Sequence, residues 1–107
     1  MKSDYRWLER WSNSLNDQVV LELGCGDGID TKTIVKISKS VVACDLEPPQ
    51  SIAGASKVMV LDHSEKLPFE NESFNVVVAS LCLHYFSWPD TRNIVTEISR
   101  VLNKGGL

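Results

Sequence analysis

At 107 residues the chain is long enough for one domain with a single modest core, and too short for two. Hydrophobic residues make up 43% and charged residues 23%, a balance that excludes a long disordered tract. The net charge of -3 opposes general attraction to phosphate backbones, so no nucleic acid partner is expected.

The chain order alternates helical and extended patterns. Trp7, Leu8, Trp11 and Leu15 share one face of a helix expected at about 4–15. A strand at about 18–23 follows, carrying Glu22 near its end, and then Gly24, Gly26 and Gly28 alternate with Cys25 and Asp27. Glycine takes positive φ freely and lets a small molecule approach the main chain, so this turn is built to meet a ligand. A dinucleotide fingerprint would need a third small residue at Ile29 or Thr31, and neither register supplies one. A P-loop fails too: no Gly-Lys-Ser/Thr follows, and Glu22, Asp27 and Asp30 would repel a phosphate.

A helix is expected at about 29–38, with Lys32, Lys36 and Lys39 on a solvated face. The second strand, about 41–45, ends in Asp45, and Pro48 and Pro49 stop it by removing amide donors. A short helix or turn at 50–56 leads to a third strand at about 58–61, followed by Asp62 and a loop over 62–72. The fourth strand, about 74–79, has the apolar pattern Phe-x-Val-Val-Val-Ala, as a strand covered on both faces should. A last helix starts near Pro89, capped by Ser87 or Trp88, with Ile94, Val95, Ile98, Val101 and Leu102 at helical spacing. Strand and helix in alternation predict an α/β, doubly wound parallel sheet. Ligands of such sheets lie beyond the carboxyl ends of the strands, where Glu22, Gly24, Asp45, Asp62 and Ser80 fall.

No apolar run approaches the roughly 18 to 20 residues that span a bilayer, so no membrane partner is expected. Met1 to Trp7 lacks the apolar stretch of a signal peptide. The three cysteines cannot all pair and have no metal-ligand spacing, which predicts a reduced, cytoplasmic setting and no metal.

Together, Glu22-Leu23-Gly24-Cys25-Gly26-Asp27-Gly28, the strand-end Asp45, Leu67-Pro68-Phe69, Phe74 to Ser80, and Glu97-Ile98-Ser99-Arg100-Val101-Leu102 before Gly105-Gly106 form an ordered series. The series resembles class I S-adenosylmethionine-dependent methyltransferases, in particular the small-molecule enzymes related to those of ubiquinone and biotin synthesis. Two positions depart from that pattern: Asn75 replaces an aspartate, and Asn103-Lys104 replaces Lys-Pro. The resemblance implies a Rossmann-like sheet of strand order 3-2-1-4, a single domain truncated relative to the seven-stranded fold. It further implies S-adenosylmethionine as cofactor and a small-molecule methyl acceptor. Glu22 would address the methionine amino end through water, and the backbone of Gly24, Cys25, Gly26 and Gly28 would follow the methionine and ribose. Asp45 would hold the ribose hydroxyls, Leu46 would pack on the adenine, Asp62 would accept from its exocyclic amine, and the His63 amide would meet a ring nitrogen. Ser80, at the end of the fourth strand, would also belong to the cofactor-binding set. His84 is the candidate general base, set against a plain packing role for Leu83-His84-Tyr85. Cys25, Cys44 and Cys82 read as small apolar fillers.

Two further functions compete with methyl transfer. One is a non-catalytic cofactor-binding or assembly module of methyltransferase origin; the other is a NAD-type domain, disfavoured by the glycine spacing. Ending at Leu107, the chain would leave the apolar fourth strand as an edge without charge or proline to protect it. Self-association through that strand, or dependence on further sequence, is the corresponding expectation, with little or no methyl transfer by the isolated chain.

Overall fold

The computed structural model describes residues 13–46, 50–61, 66–79 and 88–103. Four strands, β1 (Val19–Leu23), β2 (Ser40–Asp45), β3 (Lys57–Val60) and β4 (Val76–Ala79), alternate with two helices, α1 (Ile29–Ile37) and α2 (Trp88–Val101). All pairings are parallel and the order is β3-β2-β1-β4, as expected from the sequence. Only residues 13–15 of the expected N-terminal helix are among those described, and they are helical.

Alternation along β1 distributes the core between the two faces of the sheet. Val20 points to the α1 side, where it joins Leu15, Ile34, Val41 and Val76. Leu21 and Leu23 point the other way and join Cys44, Leu67, Phe74 and Val101 of the α2 side. Phe69 meets Phe74 edge to face, with centroids 5.0 Å apart and planes at 88°. A third cluster, Cys25, Ala43 and Ile52, packs beneath the glycine turn. Lys32, Lys36 and Lys39 are all exposed, so the basic stripe is a solvated face.

β4 starts two residues later than the sequence pattern suggests. Phe74 instead makes an isolated bridge to Leu102, and the side chain of Asn75 occupies the place of a ladder partner. Asn75 Oδ1 accepts from the Val19 amide at 2.8 Å, while the Asn75 amide donates to the Val19 carbonyl at 2.9 Å. The departure from aspartate thus falls on a residue that anchors β4 to β1. β3 begins one residue early, at Lys57, whose partner on β2 is Val42.

The Glu97-x-x-Arg100 pair has a structural task. Arg100 Nε donates to Glu97 Oε2 and Nη2 to Glu97 Oε1, both at 2.9 Å. The same guanidinium reaches the Phe69 carbonyl at 2.7 Å, the Leu67 carbonyl at 2.9 Å and Asn71 Oδ1 at 2.9 Å. Glu97 Oε1 also accepts from the Leu67 amide at 2.7 Å. Arginine suits this role because its planar fork serves a carboxylate and several carbonyls at once. It holds the Glu97 carboxyl below the ordinary carboxylate range, and together they clamp the loop before β4 onto α2.

Candidate functional site

The site grows from the carboxyl end of β1. After Leu23 the amides of Gly24 and Cys25 both donate to the Cys44 carbonyl, at 2.8 and 3.0 Å, which fastens the turn to β2. The Gly28 amide then donates to the Cys25 carbonyl at 2.9 Å, and α1 begins. Gly24, Gly26 and Gly28 all have positive φ, at 80°, 57° and 91°.

The second and third glycines differ in surroundings. A Cβ on Gly26 would meet nothing within 4 Å, so open space lies in front of its backbone. A Cβ on Gly28 would lie 2.8 Å from Ile52 Cδ1 and 3.0 Å from Ile52 Cγ1. Gly26 therefore offers the turn to a ligand, whereas Gly28 lets α1 start against Ile52. Replacing Gly28 with alanine should cost about 1 to 3 kcal/mol of stability, from the positive φ and the displaced isoleucine. Chemical denaturation checks this, and an unchanged midpoint would contradict it.

Asp45, at the end of β2, turns towards this loop: its Oδ2 accepts from the Gly26 amide at 2.9 Å. Leu46 is 56% exposed just beyond it, and Val60 at the end of β3 is 70% exposed. Two exposed apolar side chains at neighbouring strand ends can receive a flat apolar ring.

Glu22 lies deeper and is only 1% exposed. Like Val20 it faces α1, where the Thr31 hydroxyl donates to Glu22 Oε1. Burial pushes its carboxyl up to about 7, Thr31 opposes that rise, and Asp30 and Asp45 add to it. Among the described residues, every charged group acting on Glu22 is therefore acidic. Asp30 Oδ1 is buried with no hydrogen-bond partner among them. The Cys25 thiol is pushed up to about 11 by burial, then by Glu22 and Asp45. Such a thiol is no nucleophile at neutral pH, in keeping with a packing role.

Glu22, Gly24, Cys25, Gly26, Gly28, Asp45 and Leu46 thus gather at one end of the sheet. Asp62, His63, Ser80 and His84 lie outside the described residues. Thr31, Asp30 and Val60 were not singled out as site residues in the sequence, although a threonine in the first turn after a glycine loop is a usable signal.

Comparison with known proteins decides the family. Residues 20–106 match the model of a family described as a methyltransferase domain. This chain belongs to that family. The methyltransferase domain is 31% identical over 96 residues to an uncharacterized methyltransferase of Synechocystis, covering 84% of this chain and 44% of that protein. It is 34% identical over 110 residues to an uncharacterized methyltransferase of Schizosaccharomyces pombe, with 92% and 41% covered. The human mitochondrial arginine-hydroxylase NDUFAF5 is 31% identical over 97 residues, with 86% and 28% covered. The chain therefore spans under half the length of these curated relatives. Among solved structures, a methyltransferase candidate from Bacillus halodurans superposes with a TM-score of 0.78 at 26% identity, covering 98% of this chain and 48% of that one. The 1,6-didemethyltoxoflavin-N1-methyltransferase of Burkholderia thailandensis, solved with its substrate and S-adenosylhomocysteine, gives 0.72 at 24% identity, with 94% and 49% covered.

Proposed function

We propose that this methyltransferase domain binds S-adenosylmethionine at the carboxyl ends of β1 and β2 and supports methyl transfer to a small molecule. The observation that carries the reading is the Gly26 turn, open to the outside and flanked by Asp45, with Glu22 buried behind it. An acidic pocket suits a ligand carrying an ammonium and a sulfonium, and it would repel the pyrophosphate of NAD. When bound, S-adenosylmethionine supplies a methyl group already activated by its sulfonium, which leaves the protein the tasks of orientation and electrostatics.

In this reading Asp45 holds the ribose hydroxyls and the backbone from Gly24 through Gly28 follows the methionine and ribose. Leu46 packs on the adenine, while Asp62 and the His63 amide meet its polar edge. Calorimetry with S-adenosylmethionine, S-adenosylhomocysteine and NAD tests the assignment, and tighter binding of NAD would overturn it.

His84 assists the acceptor without being essential, because the driving force lies in the sulfonium. A His84→Ala form should keep measurable turnover wherever the parent is active. Complete loss at unchanged cofactor affinity would make it an obligatory base.

A second reading is a cofactor-binding or assembly module of methyltransferase origin without turnover, and a human relative named for hydroxylation indicates that similarity to this family does not by itself fix methyl transfer. A product-release assay separates it from the first. Under either reading the chain self-associates through β4, an outer strand among the described residues whose Val76 to Ala79 carry neither charge nor proline. Light scattering should show dimers or larger species, and a monomer at every concentration would exclude this. No described helix is long and apolar enough to cross a membrane, and a cytoplasmic location belongs to the same proposal.

A further inference from the structure

Glu22 occupies an unusual position for a carboxylate at a ligand site. It is 1% exposed, takes its described hydrogen bond from the uncharged Thr31 hydroxyl, and is acted on by Asp30 from α1 and Asp45 from β2. On β4 the residue in register with it is Val78, which cannot compensate a charge. Beside this group, Asp30 Oδ1 is buried with no described partner, so the environment behind the glycine turn holds acceptors in excess of donors. A proton is the smallest species that relieves such an excess, and an ammonium group is another.

We propose that cofactor binding is coupled to proton release from Glu22: an ammonium-bearing ligand above the turn takes over the role of a proton on this buried carboxyl and expels it to the solvent. The inference rests on the cofactor reading given above. Thr31 acts as the positioning residue, since its hydroxyl steadies the carboxylate that remains after the proton leaves. The direction follows from charge: burial and the two aspartates hold Glu22 up to about 7, and a cation nearby favours its ionised form. The ligand's own groups do not titrate between pH 5.5 and 7, because an α-amino group loses its proton only near about 7.7 to 8 and an α-carboxyl near about 3.5.

Calorimetry with S-adenosylhomocysteine in buffers of differing ionisation enthalpy reads the proton directly. About 0.9 proton per ligand should leave at pH 6 and about half a proton at pH 7, with affinity rising roughly fifteenfold from pH 5.5 to 7. In Glu22→Gln the buffer dependence should vanish. In Thr31→Val, which removes the bond that opposes the rise, the midpoint should move to higher pH. Carboxyl carbon resonances of the unsubstituted chain give a second measurement: one glutamate should titrate near 7 in the free form and shift to lower pH with ligand. Binding without buffer-dependent heat, or a free form whose glutamates all titrate near 4.5, would overturn the proton coupling and leave the cofactor reading standing. Absence of binding by either adenosyl ligand at any pH would overturn both.

Discussion

Replacing Glu22 with glutamine should stabilise the ligand-free chain by about 3 kcal/mol above pH 7 and have little effect at pH 4. The carboxyl rises from an ordinary 4.5 to about 7 in the folded protein, and each pH unit of that interval corresponds to about 1.4 kcal/mol. Because the folded value lies above the unfolded one, Glu22 is benign below pH 4.5, where both states hold the proton. Stability then falls as the pH climbs from 4.5 to 7, because the unfolded chain releases the proton while the folded one retains it, and it levels off above 7, where both are ionised. Glutamine stays neutral throughout, so it escapes this loss. Urea unfolding of both forms at pH 4, 6 and 8 reads the difference directly. Equal pH profiles for the two would show that Glu22 is not the titrating group. If the proposed site is correct, the cost of keeping glutamate is stability given up for binding.

Asp45→Ala should weaken S-adenosylmethionine binding by roughly tenfold to several hundredfold. Charge-assisted hydrogen bonds are worth about 1.5 to 3 kcal/mol each, and Asp45 is proposed to accept from two ribose hydroxyls, with water restoring part of the loss. The substitution also releases the Gly26 amide, so a looser turn adds to the effect. Asp45→Asn separates the two contributions, because an amide oxygen can still receive the Gly26 amide while the negative charge is gone. Calorimetry on both variants provides the test. An alanine form that binds as tightly as its parent would place the ribose elsewhere.

Elements whose signal is local were legible in the sequence. β1, the glycine turn, α1 and β2 fall within one or two residues of their expected limits, because apolar runs, glycine spacing and a strand-end acid all act over a few residues. The parallel order followed from the resemblance, and alternation on β1 set which side chains meet each helix. Contacts between distant segments were less legible. The equivalence of the three glycines broke down in space, where Ile52, far along the chain, closes off Gly28 and leaves Gly26 open. Likewise, Glu22 was legible as a strand-end acid of the site, but not its burial under α1 against Thr31. Arg100 was recognisable as part of a motif, but its grip on the loop carbonyls depends on a turn whose path no periodicity encodes.

The anchoring of Asn75 to Val19 bears on the order of assembly. The bond from Gly26 to Asp45 joins residues 19 apart, so the turn and the first two strands can find one another by closing a short stretch of chain. The bond that seats β4 joins residues 56 apart. Closing the longer loop costs more entropy, and the chain recovers it only once Asn75 and the flanking valines engage together. By that argument the glycine-turn end of β1 and β2 is expected to form before β4 and α2 dock onto it.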